Sequence, residues 1–219
     1  MTDAPAEKSF SEGYFLNAGI LIATARAACE RMDLAGEKAD LHDALVAVVF
    51  SAAALEAFIM EVPIILRPFT LGARRSPVLA RLESLLVECE DCHAPSRLKY
   101  TATRAVLGAE PYDKSALPYQ DFRLLFSLRD SLIHMKPDKI RDEPNSVLHA
   151  LRSRGVLDDS ESNVKTSFLG DVATRKVGRW AVNVAADMVQ SIRDCFTPNQ
   201  FGDLVPSVVG MICGSFERS

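Results

Sequence analysis

Apolar positions recur along this chain with a helical period almost everywhere, and no stretch alternates apolar and polar residues strictly enough to predict a strand. Ser9 and Glu12 form a capping-box pair, each able to satisfy the other's free amide. They predict a helix that runs to about Asp33 and is closed by Gly36. Asp40 is placed to cap a second helix, which carries the apolar run 44–62 and ends at Pro63; 67–75 reads as irregular. Ser76 followed by Pro77 is an N-cap with proline at the first helical position, ahead of the stripe Leu79, Leu82, Leu85 and Leu86. Pro95 and Ser96 open another helix, Gly108 closes it, and 110–116 reads as a loop. A helix over 117–135 carries Leu125, Leu128, Leu132 and Met135 on one stripe. It ends at His134 or Met135, because Pro137 pushes Lys136 out of helical geometry. A short helix from Asn145 stops at Gly155, and 156–170, with an acidic, serine-rich centre, reads as a mobile loop. Asp171 is placed to cap a last long helix holding Val177, Trp180, Val184, Met188 and Ile192. No connection is long enough to separate one domain from another. The expected fold is all-α, one helical bundle over 1–219 with 1–8 disordered.

Composition narrows the class. The chain has 219 residues, 48% hydrophobic and 25% charged, with a net charge of -4. That balance excludes a disordered or collagen-like chain, and the length suffices for a core that needs no staple. The acid excess argues against a protein that coats nucleic acid through bulk charge. The run 44–62 is long and apolar, but Glu56 lies inside it, Glu61 near its end and Pro63 after it. A carboxylate in hydrocarbon is costly, so a buried central helix of a soluble bundle is expected, with no membrane partner. No basic segment followed by an apolar run opens the chain, so a cytoplasmic location with reduced thiols is expected for its five cysteines. Cys89, Cys92 and His93 match the spacing of c-type haem attachment. Without export, the same spacing reads as a helix end with two incidental thiols, and a zinc site lacks a second ligand pair. No cofactor and no metal are expected.

Two places break the pattern. Glu56 is an acid at the centre of the most apolar helix, and Arg129 and His134 close a helix that is otherwise strongly apolar. The run Tyr119-Gln120-Asp121-Phe122-Arg123-Leu124-Leu125-Phe126-Ser127-Leu128-Arg129-Asp130-Ser131-Leu132-Ile133-His134-Met135-Lys136-Pro137 resembles the motif helix of the HEPN superfamily, with its R-x4-6-H signature. A leucine before the arginine, a small polar residue after it and a following Lys-Pro are shared features. Ala54-Leu55-Glu56-Ala57-Phe58-Ile59-Met60-Glu61 resembles an earlier helix of many members. The resemblance covers roughly residues 40–137 and leaves the C-terminal third unexplained.

The resemblance implies a HEPN-like bundle that forms a homodimer and acts as a metal-independent endoribonuclease, with RNA as substrate and an antitoxin protein as a further partner. His134 would handle the proton of the ribose 2′-hydroxyl or of the leaving oxygen. Arg129 would hold the phosphate through a forked contact, and Asp130 would orient one of them. Glu56 and Lys136 would support the site. On an ideal helix the five-residue spacing sets Arg129 and His134 about 140° apart with about 7.5 Å of rise, so they do not share a face. They converge only where the helix end unwinds or where two subunits pool residues. From 122 to 141 five bases face two acids, a local net +3 able to guide a phosphate backbone. The same residues admit a plainer reading: Arg129 and Glu56 as a buried ion pair fixing helix register, His134 as a helix cap, Asp130 as a surface acid. That reading leaves a non-catalytic HEPN-like binding module.

Overall fold

The computed structural model describes residues 16–35, 41–70, 76–134, 146–157, 167–197, 201, 207, 209–210 and 213–216. Among them are eight helices and no strand. These are α1 (Ala18–Ala35), α2 (Leu41–Thr70), α3 (Pro77–Asp91), α4 (Ser96–Val106), α5 (Tyr119–Ile133), α6 (Ser146–Ser153), α7 (Phe168–Val172) and α8 (Arg175–Arg193). The fold class is all-α, as the periodicity requires.

Helix α2 is the hub and touches α1, α3, α4, α5 and α8. Its alanine-rich N-terminal half buries Ala44, Ala47, Ala52 and Ala54, while Leu55, Phe58, Ile59 and Leu66 fill the space farther along. Small side chains let helices approach, and one glycine shows how closely. A Cβ at Gly178 of α8 would stand 2.7 Å from Met32 Cε and 3.3 Å from Ala47 Cβ. The span His42–Arg67 is, among the described residues, the one helix long and apolar enough to cross a membrane, and more than half of its apolar window is buried against the other helices.

Several local expectations hold. Ser76 caps α3 by accepting from Leu79 N at 3.4 Å, and Pro77 takes the first helical position. Helix α4 opens at Ser96 and is followed by Gly108 at φ 75°, a left-handed turn that glycine adopts without a Cβ penalty. The loop at 110–116 lies before α5, which starts at Tyr119, two residues later than expected.

Others are corrected. Leu16 and Asn17 are not helical, so α1 does not run on from Ser9. Its start is set from α2: the Glu61 carboxylate accepts from Asn17 N at 2.5 Å and from Ala18 N at 3.0 Å. Helix α2 does not stop at Pro63 but continues to Thr70. Proline removes one ladder donor, and the burial of Val62, Pro63 and Leu66 around it sustains the helix. The stretch 156–170 is not one loop. Gly155 at φ 68° reverses the chain, Val156 N bonds Leu151 O at 3.0 Å, and Val156 and Leu157 are buried. Ser167 then caps the short α7 by accepting from Gly170 N at 3.1 Å. Asp171 lies inside α7, and Thr174 caps α8 in its place by accepting from Val177 N. Ser9, Glu12, Gly36, Asp40, the expected disordered 1–8 and the rest of the expected loop, 158–166, lie outside the described residues.

Candidate functional site

The candidate site stands on α5, which is fixed at both its ends and along its inner face. Phe122, Leu125 and Leu128 are buried at successive helical turns. At the start of the helix the Asp121 carboxylate accepts from Arg154, after α6, and from Trp180 Nε1 of α8 at 3.2 Å. The same Arg154 donates to Gln120 Oε1 at 2.5 Å. Tyr112 and Tyr119 stack at 5.1 Å, and Arg104 lies over the Tyr112 ring at 4.5 Å. Two separate polar anchors thus hold the first turn against its neighbours, so the register of the last turn is set.

That last turn carries the residues singled out from sequence. The Arg129 guanidinium donates to the Glu56 carboxylate of α2 and to Asp130 Oδ1 at 2.9 Å, and it lies 5.3 Å over the Phe126 ring. Phe126 in turn packs edge-on against Phe122 at 4.9 Å. The Arg129 side chain is 19% exposed, Glu56 45% and Asp130 57%. Glu56 is therefore not an acid in the core: the apolar helix turns this position to the surface, and the expected buried ion pair is a half-exposed one. A partly exposed pair of this kind contributes about 1 kcal/mol, too little to define the fold.

His134 is the C-cap of α5, with φ -103° and ψ 29°, and its N–H donates to Asp130 O at 3.0 Å. Its imidazole is exposed. The structure thus brings Arg129, Asp130 and Glu56 together, and no side-chain bond among the described residues joins His134 to them. Lys136 lies outside the described residues, as do Lys139 and Arg141, and these three carry most of the expected surplus of positive charge. The described cluster itself holds two carboxylates and one guanidinium.

Cys89, Cys92 and His93 form the end of α3 rather than a convergent set. Cys89 is 6% exposed and faces the core, Cys92 is the exposed C-cap, and His93 takes a left-handed φ of 53°. Ala94 N bonds Cys89 O at 2.7 Å, closing the turn. All five cysteines are free thiols, and among the described residues no three His, Cys, Asp or Glu side chains are grouped for a metal ion. The haem pattern needs two accessible thiols, and burial of Cys89 withholds one of them.

Sequence reasoning missed the polar side chains that tie the helices together. Glu61 is 5% exposed and serves as the cap of α1; its only sequence signal was an acid near the end of an apolar run. Lys99, almost as deeply buried, reaches Glu90 and lies with its Nζ 3.2 Å from Met60 Sδ. Tyr100 is fully buried and donates to Leu55 O at 3.0 Å; burial raises its pKa well above the usual tyrosine value. Arg104 donates to Ser191 O at 2.9 Å, across to α8. None of these pairs has a helical spacing, so no local pattern announces it.

The fold and site define a class no finer than an all-α protein with an arginine–carboxylate cluster and an exposed histidine at the end of one anchored helix. In comparisons with family models, curated proteins and solved structures, the chain matches none.

Proposed function

We propose that the chain is a HEPN-like helical homodimer that cleaves RNA without a metal, at a composite site where two copies of the last turn of α5 meet. The observation that carries this reading is the placement of Arg129 and His134. Arg129, 19% exposed, sits on a helix whose other end is anchored, and the exposed His134 stands where that helix stops. An exposed imidazole and a guanidinium that keeps part of its surface in solvent are both within reach of a substrate backbone. Ile133, 53% exposed beside His134, supplies apolar surface for a second copy. In this reading one subunit's Arg129 grips the scissile phosphate while a histidine moves the 2′-hydroxyl or leaving-group proton. Asp130 orients the guanidinium, Glu56 supports it, and Lys136 adds charge for the backbone. An antitoxin protein is the partner that a nuclease of this kind requires for restraint, and the cytosol is where it would meet RNA.

The test is incubation of purified protein with structured and unstructured RNA in EDTA. Cleavage that persists in EDTA and disappears in His134→Ala is the expected outcome, and equal cleavage by the mutant would falsify the assignment.

One observation favours a second reading, a non-catalytic HEPN-like interaction module. Arg129 is already held by two carboxylates, Glu56 and Asp130, which compete with any phosphate for its donors. Under this reading wild-type protein leaves RNA intact, and Glu56→Gln, which frees the guanidinium of one acid, does not create cleavage.

A further inference from the structure

The end of α3 carries a pair of thiols that the site on α5 does not use. Of the five cysteines Cys92 alone is exposed, and Cys89 lies one helical turn before it, 6% exposed. Cys92 N donates to Glu88 O at 3.0 Å, so the helical backbone persists up to the cap. In that geometry the two Cα atoms stand about 5 Å apart, and a disulfide accepts Cα separations of roughly 4.4–6.8 Å. The Cys92 thiol also points back along the helix and donates to Cys89 O at 3.6 Å. Cβ atoms three positions apart on a helix are about 5–6 Å apart, beyond the roughly 3.5–4.5 Å of a relaxed disulfide. Closing the bond therefore needs the cap to move inward. The end of the helix is a place where it can. Cys92 departs from helical dihedrals, at φ -90° and ψ 10°, and the next residue, His93, holds a left-handed φ of 53° that a non-glycine residue adopts at a cost. A bond closed across such a gap is strained, and strained, exposed disulfides are readily reduced again. Haem attachment needs both thiols to meet a bulky group, whereas a disulfide between them needs only Cys92 to be reached from solvent.

We propose that Cys89 and Cys92 are a reversible dithiol–disulfide pair that exchanges with a small disulfide such as oxidised glutathione. The Cys92 thiol gives up its proton, and the thiolate attacks one sulfur of the small disulfide. A bond forms between Cys92 Sγ and that sulfur, the S–S bond of the small disulfide breaks, and one thiolate leaves. Cys89, deprotonated in turn, attacks Cys92 Sγ, forms the intramolecular bond and releases the second thiolate. The two released thiolates take up the two protons. Two electrons pass from the pair to the small disulfide, which ends as two thiols. The order of attack follows from the surroundings. Burial raises the pKa of Cys89, with the Cys92 thiol and Glu88 adding to the rise and Lys99 opposing it. Cys89 therefore enters second, against a sulfur already beside it, while the exposed Cys92 meets the small disulfide first. This pair is separate from Arg129 and His134 and does not depend on their role.

Incubation of the folded protein with oxidised glutathione, followed by N-ethylmaleimide, trypsin and mass spectrometry, tests it. Trypsin leaves residues 82–97 as one peptide that holds Cys89 and Cys92 and no other cysteine. The wild-type peptide is expected to lose two hydrogen atoms and to carry no maleimide, and dithiothreitol restores both maleimide sites. Cys89→Ala stops with one glutathione on Cys92. Cys92→Ala loses the reaction, because Cys89 is buried. Cys92 is exposed, so its variant keeps the fold even if the Cys89 variant does not, and circular dichroism checks both. A wild-type peptide that keeps both thiols overturns the proposal, as does one that stops at a glutathione on Cys92 without closing the bond. Oxidation of Cys89 in Cys92→Ala as fast as in the wild type overturns it equally.

Discussion

Glu56 and Glu61 lie on one apolar helix and have opposite surroundings. Five residues apart, they point about 140° away from each other. Glu56 reaches the surface and meets Arg129, whereas Glu61 is 5% exposed and holds the first amides of α1. The two acids should therefore respond differently to removal. Arg129→Ala, which breaks this partly exposed pair, is expected to lower stability by only about 1 kcal/mol. Glu61→Ala takes away charged acceptors from two helix-terminal amides, one of them buried, and is expected to cost about 2–3 kcal/mol. Urea denaturation of both variants measures the contrast; equal losses would mean that the Arg129 pair is structural after all.

At the scale of elements, α8 shows what sequence can and cannot say. Its apolar stripe is plain in the sequence, but the cap expected at Asp171 lies three residues too early. Both Asp171 and Thr174 are chemically able to cap, and the choice falls to Thr174 because Asp171 already belongs to the short turn of α7. Gly178 has no helix-forming merit and is explained only by the neighbours that its missing Cβ admits, Met32 and Ala47. Gly178→Leu is expected to overpack this crossing and cost about 1–3 kcal/mol, read as a lowered urea midpoint with an unchanged slope. Pro63 is the complementary case. There the local rule that proline ends a helix yields to the burial of the residues around it.

The whole molecule keeps most of its thiols out of solvent. Burial, with Asp33 nearby, pushes the Cys29 thiol from 9.0 up to about 11, and burial pushes Cys213 up to about 12. Burial raises Cys89 and Cys195 as well. An acid whose pKa is higher in the folded state holds its proton while the unfolded chain has released it. Stability from these groups is complete below about pH 9 and falls as pH climbs through about 11, where Cys29 ionises in the fold. The urea midpoint should thus be lower at pH 10 than at pH 8, and Cys29→Ala should lessen that slope. A midpoint that rises over this interval would contradict the buried placement of the thiols.

Local patterns along the chain are enough to specify a helical protein, the starts of α3 and α4, and the end of α5 at His134. Each of these rests on neighbours within one helical turn, through periodicity, caps and proline. They also mark Arg129, Asp130, His134 and Glu56 as departures from an otherwise regular pattern. Helix packing settles that Glu56 faces outward to Arg129 while Glu61 caps another helix, and that Cys89 is buried and Cys92 is not. These relations join residues tens of positions apart, and they depend on which face each helix turns to its neighbours. Periodicity says that a helix has a buried face; the packing of the other helices decides which side chains at the margin of that face meet solvent and which meet one another.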